Sequence, residues 1–140
     1  MMVPSKTDMV YQSTSVWKWD TIECFNAVAG SNPFQRIIRS YNSMGMPLTQ
    51  LHERLQDGFT WQNYARETFT WDSAGNWLSY LAEQWQNNAW VNDTKQTFEY
   101  DSESNMVDWK RETWQTNYWK KMWHYNWHYN STGINDTTIY

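Results

Sequence analysis

The sequence predicts an all-β protein: an antiparallel meander of tandem β-hairpin repeats, each about 29 residues long, in a twisted sheet. Three observations predict it. The stretch WQNYARETFTWDSAGN (61–76) is restated as WVNDTKQTFEYDSESN (90–105), 29 residues on. Within each copy, apolar and polar residues alternate with the period of a strand. Finally, rings dominate the apolar content, with 12 Trp, 9 Tyr and 5 Phe in 140 residues, and mean hydropathy is only −0.90. Wide flat side chains suit a half-buried pleated surface. With so few Leu, Ile and Val, a deep core wrapped by helices is not expected.

The elements follow in chain order within one β-repeat domain spanning 1–140. Residues 1–58 hold degenerate repeats. Both KTDMVYQSTSVW (6–17) and SVWKWDTIECF (15–25) are strand-like, and RIIRSYNSMG (36–45) aligns with RETFTWDSAG (66–75), with one residue of slippage afterwards. QDGF (56–59) is a hairpin turn signal, because Asp-Gly accepts the positive φ that tight turns need.

Residues 59–131 hold the clear repeats. Trp61, Asn63, Thr68, Phe69, Asp72, Ser73 and Asn76 recur as Trp90, Asn92, Thr97, Phe98, Asp101, Ser102 and Asn105. Arg66 recurs as Lys95 and Trp71 as Tyr100; Leu78, Tyr80, Trp85 and Gln86 recur as Val107, Trp109, Trp114 and Gln115. A third copy begins at Trp119. Asp and Asn turn chemistry sits in DSAGN, DSESN and NSTGI, and tighter turns fall at QNNA (86–89) and QTNY (115–118). Residues 132–140 are a partial repeat.

Each unit is therefore two strands of about ten residues, joined to its neighbours as a meander. The repeated rings are expected to form ladders, Trp61 with Trp90 and Trp119, and Phe69 with Phe98 and Trp127. Each cross-strand contact would contribute about 0.2–1 kcal/mol. A unit that buries its rings only against its neighbours explains why the sequence repeats.

The repeat also serves as an internal control: a ring present in every copy is structural, and a ring found in one copy is free for another role. Trp123 and Tyr125 stand where the preceding copy has Thr94 and Gln96. By period-2 counting they share a face with Trp119, Trp127 and Tyr129. Those five form the candidate binding platform or assembly face, since rows of flat rings suit sugars and large exposed apolar patches mark interfaces.

Other candidates are weaker. His124 and His128 lie four apart, about 13 Å on a strand, too far to share a metal ion. Asp101, Glu103 and Asn105 lack the remaining ligands of a calcium loop. Asp57 with Glu67, or Glu83 with Glu112, are carboxylate pairs that no spacing selects for glycoside hydrolysis. Cys24 is the single cysteine and reads as a small core residue. No metal, cofactor or catalytic constellation is expected. N-glycosylation patterns occur at Asn92, Asn130 and Asn135.

The formal charge of −4 and pI near 5.2 disfavour nucleic acid as a partner. No apolar run approaches the ~20 residues that span a bilayer. The start, MMVPSKTDMV, lacks a secretion-signal pattern, so the sequence is either cytoplasmic or numbered downstream of a removed leader.

The pattern W-x-N-x-x-(K/R)-x-T-(F/Y)-x-(Y/W)-D-x-x-G-N resembles the hairpin repeats of secreted Bacteroidetes surface proteins and, more distantly, tyrosine–aspartate repeats. The resemblance covers about residues 33–134 and is clearest over 59–131. Ser104 and Ile134 depart from its Gly-Asn turn. It implies export, surface display and no intrinsic catalysis. Asp-(Ser/Thr)-apolar or -Thr sites at Thr21, Ser73 and Thr137 resemble the O-glycosylation signal of the same group. The expected function is thus a non-catalytic extracellular structural repeat of a bacterial surface or fibre, self-associating through its sheet edges. The alternative is a carbohydrate-binding module or adhesin that holds polysaccharide on its aromatic rows.

Overall fold

The computed structural model describes residues 9–11, 17–19, 21–25, 33–130 and 133–139, and the side chains of 21–22 and 34–129. Every regular element among them is a strand. The short strands β1 (Met9–Tyr11) and β2 (Trp17–Trp19) pair with each other. The other nine are β3 (Thr21–Phe25), β4 (Pro33–Tyr41), β5 (Pro47–Gln56), β6 (Thr60–Trp71), β7 (Trp77–Gln86), β8 (Ala89–Tyr100), β9 (Met106–Gln115), β10 (Tyr118–Asn130) and β11 (Gly133–Ile139). They hydrogen-bond in chain order from β3 to β11, the meander the repeat predicts.

Internal contacts divide the chain into two units, residues 1–67 with 85–89, and residues 68–84 with 90–140. Among the described residues, neither has a deep core. Among the described residues the buried apolar side chains are Ile37 in the first unit and Ala82 and Phe98 in the second, and none is fully buried. Such thin packing matches the ring-rich, aliphatic-poor composition.

The turns explain the repeated Asp and Asn. In the second unit, Asp72 Oδ1 accepts the backbone N–H groups of Ala74 and Asn76, and Oδ2 accepts Asn76 Nδ2. Asp101 does the same with Glu103 and Asn105. In the first unit, Asn42 Oδ1 accepts the N–H of Met46. The fourth residue of each turn has positive φ: Gly45 at 80°, Gly75 at 93° and Ser104 at 65°. Ser104 thus keeps the conformation of the glycine it replaces. The tight turns also place Asp57, Gly58, Asn87, Asn88 and Thr116 at positive φ.

The expected ladders require correction. A 29-residue repeat contains two strands, so counterparts lie two strand spacings apart, about 10 Å, and do not stack on each other. The rings that meet are interleaved. In the second unit Trp77 stacks on Phe98 at 4.6 Å between centroids, Phe98 runs parallel to Trp109 at 6.3 Å, and Trp109 stacks on Tyr125 at 5.2 Å. The row is also oblique: the 29-residue counterpart of Phe98 is Trp127, yet Trp109, the cross-strand partner of Phe98, pairs onward with Tyr125.

Two tryptophans of the other expected ladder, Trp61 and Trp119, cover cations. In the first unit Arg36 Nε contacts Glu53 Oε2 at 2.5 Å, and its guanidinium lies 4.6 Å from the Trp61 ring centroid. In the second, Lys95 Nζ contacts Glu112 Oε2 at 2.6 Å and lies 4.7 Å from the Trp119 ring centroid. A tryptophan over the base of a cross-strand ion pair shields it from water, where an exposed pair would contribute little.

Candidate functional site

The second unit carries the candidate site, and a β-bulge shapes it. Between β9 and β10 the pairing runs Trp119 with Trp114 and Lys121 with Glu112, then shifts so that Trp123 pairs with Arg111 and Tyr125 with Trp109. Met122 is the extra residue. Directly paired residues share a face, so the bulge reverses the parity of β10. Trp123 and Tyr125 lie with Phe98 and Trp109, and Trp127 joins this row, stacked on Tyr125 at 5.7 Å. Trp119 lies on the opposite face, packed edge-on against Trp114 at 5.1 Å. The five-ring platform expected from strict alternation is therefore split. Trp119 leaves it, while Trp123, Tyr125, Trp127 and Tyr129 keep one parity. Tyr129 is pinned by donating its hydroxyl to the Met106 carbonyl at 2.8 Å, as Tyr100 donates to the Trp77 carbonyl at 3.0 Å.

The face opposite the rings holds a polar cluster that sequence reasoning did not single out. Glu99 and Asp108 are direct cross-strand partners. Asp108 is only 6% exposed. Its Oδ1 lies 2.8 Å from Lys110 Nζ, and its Oδ2 takes His124 Nε2 and Asn126 Nδ2, both at 2.5 Å. Lys110 Nζ also reaches Glu99 Oε1 at 3.6 Å. Burial pushes the Asp108 carboxyl up, but hydrogen bonds and charge from Lys110 and His124 outweigh it and hold the group below its ordinary value. The bond to Asp108 raises Lys110. The signal for this cluster was present in the repeat. The Glu99–Asp108 pair stands where earlier copies have two hydroxyls, Ser40 Oγ to Thr49 Oγ1 and Thr70 Oγ1 to Ser79 Oγ, each at 2.6 Å.

Where the cluster meets the Asp101 turn, an open groove of about 370 Å³ is lined by Glu99, Asp101, Asp108, Asn126, Trp127 and His128, with Val107 and Tyr129 completing it. Glu99, Asp108, Asn126 and His128, which share the face opposite the ring row, give it carboxylates, an amide and an imidazole. Among the described residues, no group of three or more His, Cys, Asp or Glu is placed to hold a metal ion.

The remaining candidates are dispersed. Ser73 is exposed in the Asp72 turn, Thr21 is half-buried in β3, and Asn92 is half-buried within β8. Asn130, Asn135 and Thr137 lie on β10 and β11, with side chains outside those described. No helix among the described residues is long and apolar enough to cross a membrane.

No protein-family model matches the sequence, and no curated protein matches it. Solved structures do. A protein of unknown function from Bacteroides fragilis is 13% identical, with a TM-score of 0.60 over 87% of this chain and 88% of that one. A DUF3836 family protein from Bacteroides vulgatus is 14% identical, with a TM-score of 0.45 over 76% of this chain and 97% of that one. A DUF3836 family protein from Parabacteroides distasonis is 16% identical, with a TM-score of 0.44 over 61% and 86%. The likeness to the Bacteroides fragilis protein is one of fold. It leaves function to this chain's own residues.

Proposed function

We propose that this chain is a non-catalytic structural repeat segment of an extracellular or cell-surface bacterial protein or fibre, able to associate through its sheet edges. One observation carries the reading: the residues that recur have structural tasks. The turn Asp and Asn residues cap backbone N–H groups, the basic and acidic positions pair across strands, and tryptophans cover those pairs. Strands β3 and β11 end the hydrogen-bonded order, and an edge strand offers unpaired backbone groups to another chain. Surface display rests on the family resemblance. Protease shaving of intact producing cells tests it; a chain cleaved only after lysis would overturn it. Sedimentation of the purified chain tests edge association, and a monodisperse monomer at high micromolar concentration would exclude it.

A second reading, carbohydrate binding or adhesion, is favoured by the parallel Phe98, Trp109, Tyr125 and Trp127 row. Its test is titration with polysaccharides, followed by tryptophan fluorescence.

A further inference from the structure

We infer that the ring face of β9 and β10, where it nears the β9–β10 turn, is a subsite for an acidic polysaccharide, one whose sugar units carry carboxylates. This rests on the second, carbohydrate-binding reading and adds a place and a charge preference to it. Strand register puts the residues concerned on one face. Trp123 pairs with Arg111 and Lys120 with Thr113, while Arg111 and Thr113 pair with Gln96 and Thr94. Phe98 and Trp109 continue that face, and Tyr118, two residues before Lys120, shares it.

Charge is segregated between the two faces. The carboxylates of these paired stretches, Glu99, Asp108 and Glu112, lie on the opposite face, where they meet Lys95, Lys110 and His124. The ring face carries Arg111 and Lys120 and, among its paired residues, no carboxylate. Arg36, Lys95 and Lys110 each have a carboxylate partner; among the described residues, Arg111 and Lys120 have none. The Arg111 guanidinium lies 5.4 Å from the Trp123 ring centroid, and its cross-strand neighbour Gln96 has its Oε1 engaged by Trp109 Nε1 at 2.9 Å. Two cations one two-residue step apart, about 7 Å along the strands, are thus left without a counter-ion. A guanidinium receives a carboxylate through two parallel hydrogen bonds. Tyr118, 58% exposed, offers an open ring to the C–H face of a pyranose. The formal charge of −4 and a patch of only two cations set the surface apart from a nucleic-acid groove.

The internal repeat points to the same residues. Arg111, Tyr118, Lys120 and Trp123 stand where the preceding copy has Ala82, Ala89, Val91 and Thr94. Glu112, Trp114 and Trp119, on the opposite face, repeat Glu83, Trp85 and Trp90. The side chains that would read the acidic sugar are those the repeat leaves free.

The test is isothermal titration of the purified 140-residue chain with polygalacturonate, with galactomannan as the neutral control and a single-stranded oligodeoxythymidine as a second polyanion. Polygalacturonate is expected to bind most tightly, and about 0.5 M sodium chloride should weaken it severalfold by screening. Lys120→Gln should weaken it about threefold and Arg111→Gln about fivefold, as loss of a solvent-exposed ion pair does. Lys120 is exposed, so its variant reads the subsite without disturbing the fold. Lys121→Gln, next in sequence but on the opposite face, should leave binding unchanged. Polygalacturonate binding that ignores Arg111 and Lys120, or galactomannan binding of equal strength, would overturn the subsite while leaving carbohydrate binding intact. Tighter binding of the oligonucleotide would overturn the subsite in favour of a general polyanion surface. Binding of neither polysaccharide would overturn both readings.

Discussion

The β4–β5 hairpin and the β8–β9 hairpin follow one plan and differ where the plan leaves room. Both pair a basic residue with a glutamate under a tryptophan, Arg36–Glu53 with Trp61 and Lys95–Glu112 with Trp119. Both end in a turn capped by a side-chain oxygen, from Asn42 or Asp101. Three register positions from the ion pair toward the turn, they part. Arg39 donates to Gln50 in the first hairpin, where Phe98 lies parallel to Trp109 in the other. Next to it, the exposed Ser40–Thr49 hydroxyl pair gives way to Glu99–Asp108 with Lys110, His124 and Asn126 gathered around it. Positions shared by the two hairpins hold the sheet together. Positions that differ hold the candidate site.

The sharpest way to break this comparison is to remove the acceptor at each centre. Asp108→Ala strands Lys110, His124 and Asn126 around a half-buried gap and should cost about 2–3 kcal/mol, since orphaned charged partners are expensive. Thr49→Ala removes only an exposed hydroxyl contact and should cost less than about 1 kcal/mol. Urea midpoints measure both, and equal losses would show that the cluster is no more integrated than the hydroxyl pair it replaces.

A second pair tests the split created by the bulge. Trp119 packs on Trp114 and covers Lys95, so Trp119→Ala should cost about 2 kcal/mol, somewhat below the full penalty for a buried aromatic. Trp123 lies 5.4 Å from the Arg111 guanidinium, a looser contact, and Trp123→Ala should cost less. The reverse order in thermal melts would mean that repetition does not mark structural rings.

Much of this was legible in the sequence. The meander, the hairpin turns and the structural weight of Trp61 and Trp119 follow from a 29-residue period laid over period-2 alternation. The bulge was not. One extra residue at Met122 leaves no compositional mark, yet it moves Trp119 to the other face, so face counting along 119–129 fails. The Asp108 cluster was legible in principle, as charged residues at positions that hold hydroxyls in two other copies. Attention to rings obscured it, because partners 16 and 18 residues apart, such as His124 and Asn126, meet only through the strand register.

Smaller effects refine the turn comparison. Thr116 holds φ at 49° where the preceding copy has Asn87 at 50°. A β-branched residue is strained there, so Thr116→Asn should stabilise by about 1 kcal/mol. Ser104→Gly, which restores the residue found at Gly45 and Gly75, should add about 0.5–1 kcal/mol. Chemical denaturation that shows either variant to be less stable would contradict the turn assignment.

The smallest effect is one of pH. Hydrogen bonds from Asn76 hold Asp72 below its ordinary 3.8, and those from Asn105 do the same for Asp101. A depressed carboxylate contributes stability above its unfolded value, and that contribution is lost as pH falls through the folded value. Stability should therefore decline below about pH 4. The Asp72→Asn/Asp101→Asn double variant, which copies the uncharged Asn42 turn, should flatten that decline. An unchanged acid limb in a pH series of melting temperatures would assign the loss to other groups.

The bulge at Met122 makes the strand a switch of address. In a polymer whose side chains alternate sides, one added link reassigns every later group to the other surface while the backbone continues to pair. Such a change needs no new chemistry. The residues after the bulge keep their order, and what they face is exchanged. Trp119, before the bulge, packs on Trp114, while Tyr125, after it, stacks on Trp109 on the other face. Deleting Met122 should undo this: Trp123, Tyr125 and Trp127 would exchange sides with His124, Asn126 and His128. Solvent-accessibility labelling of the tryptophans would report the exchange, and an unaltered labelling pattern would refute it.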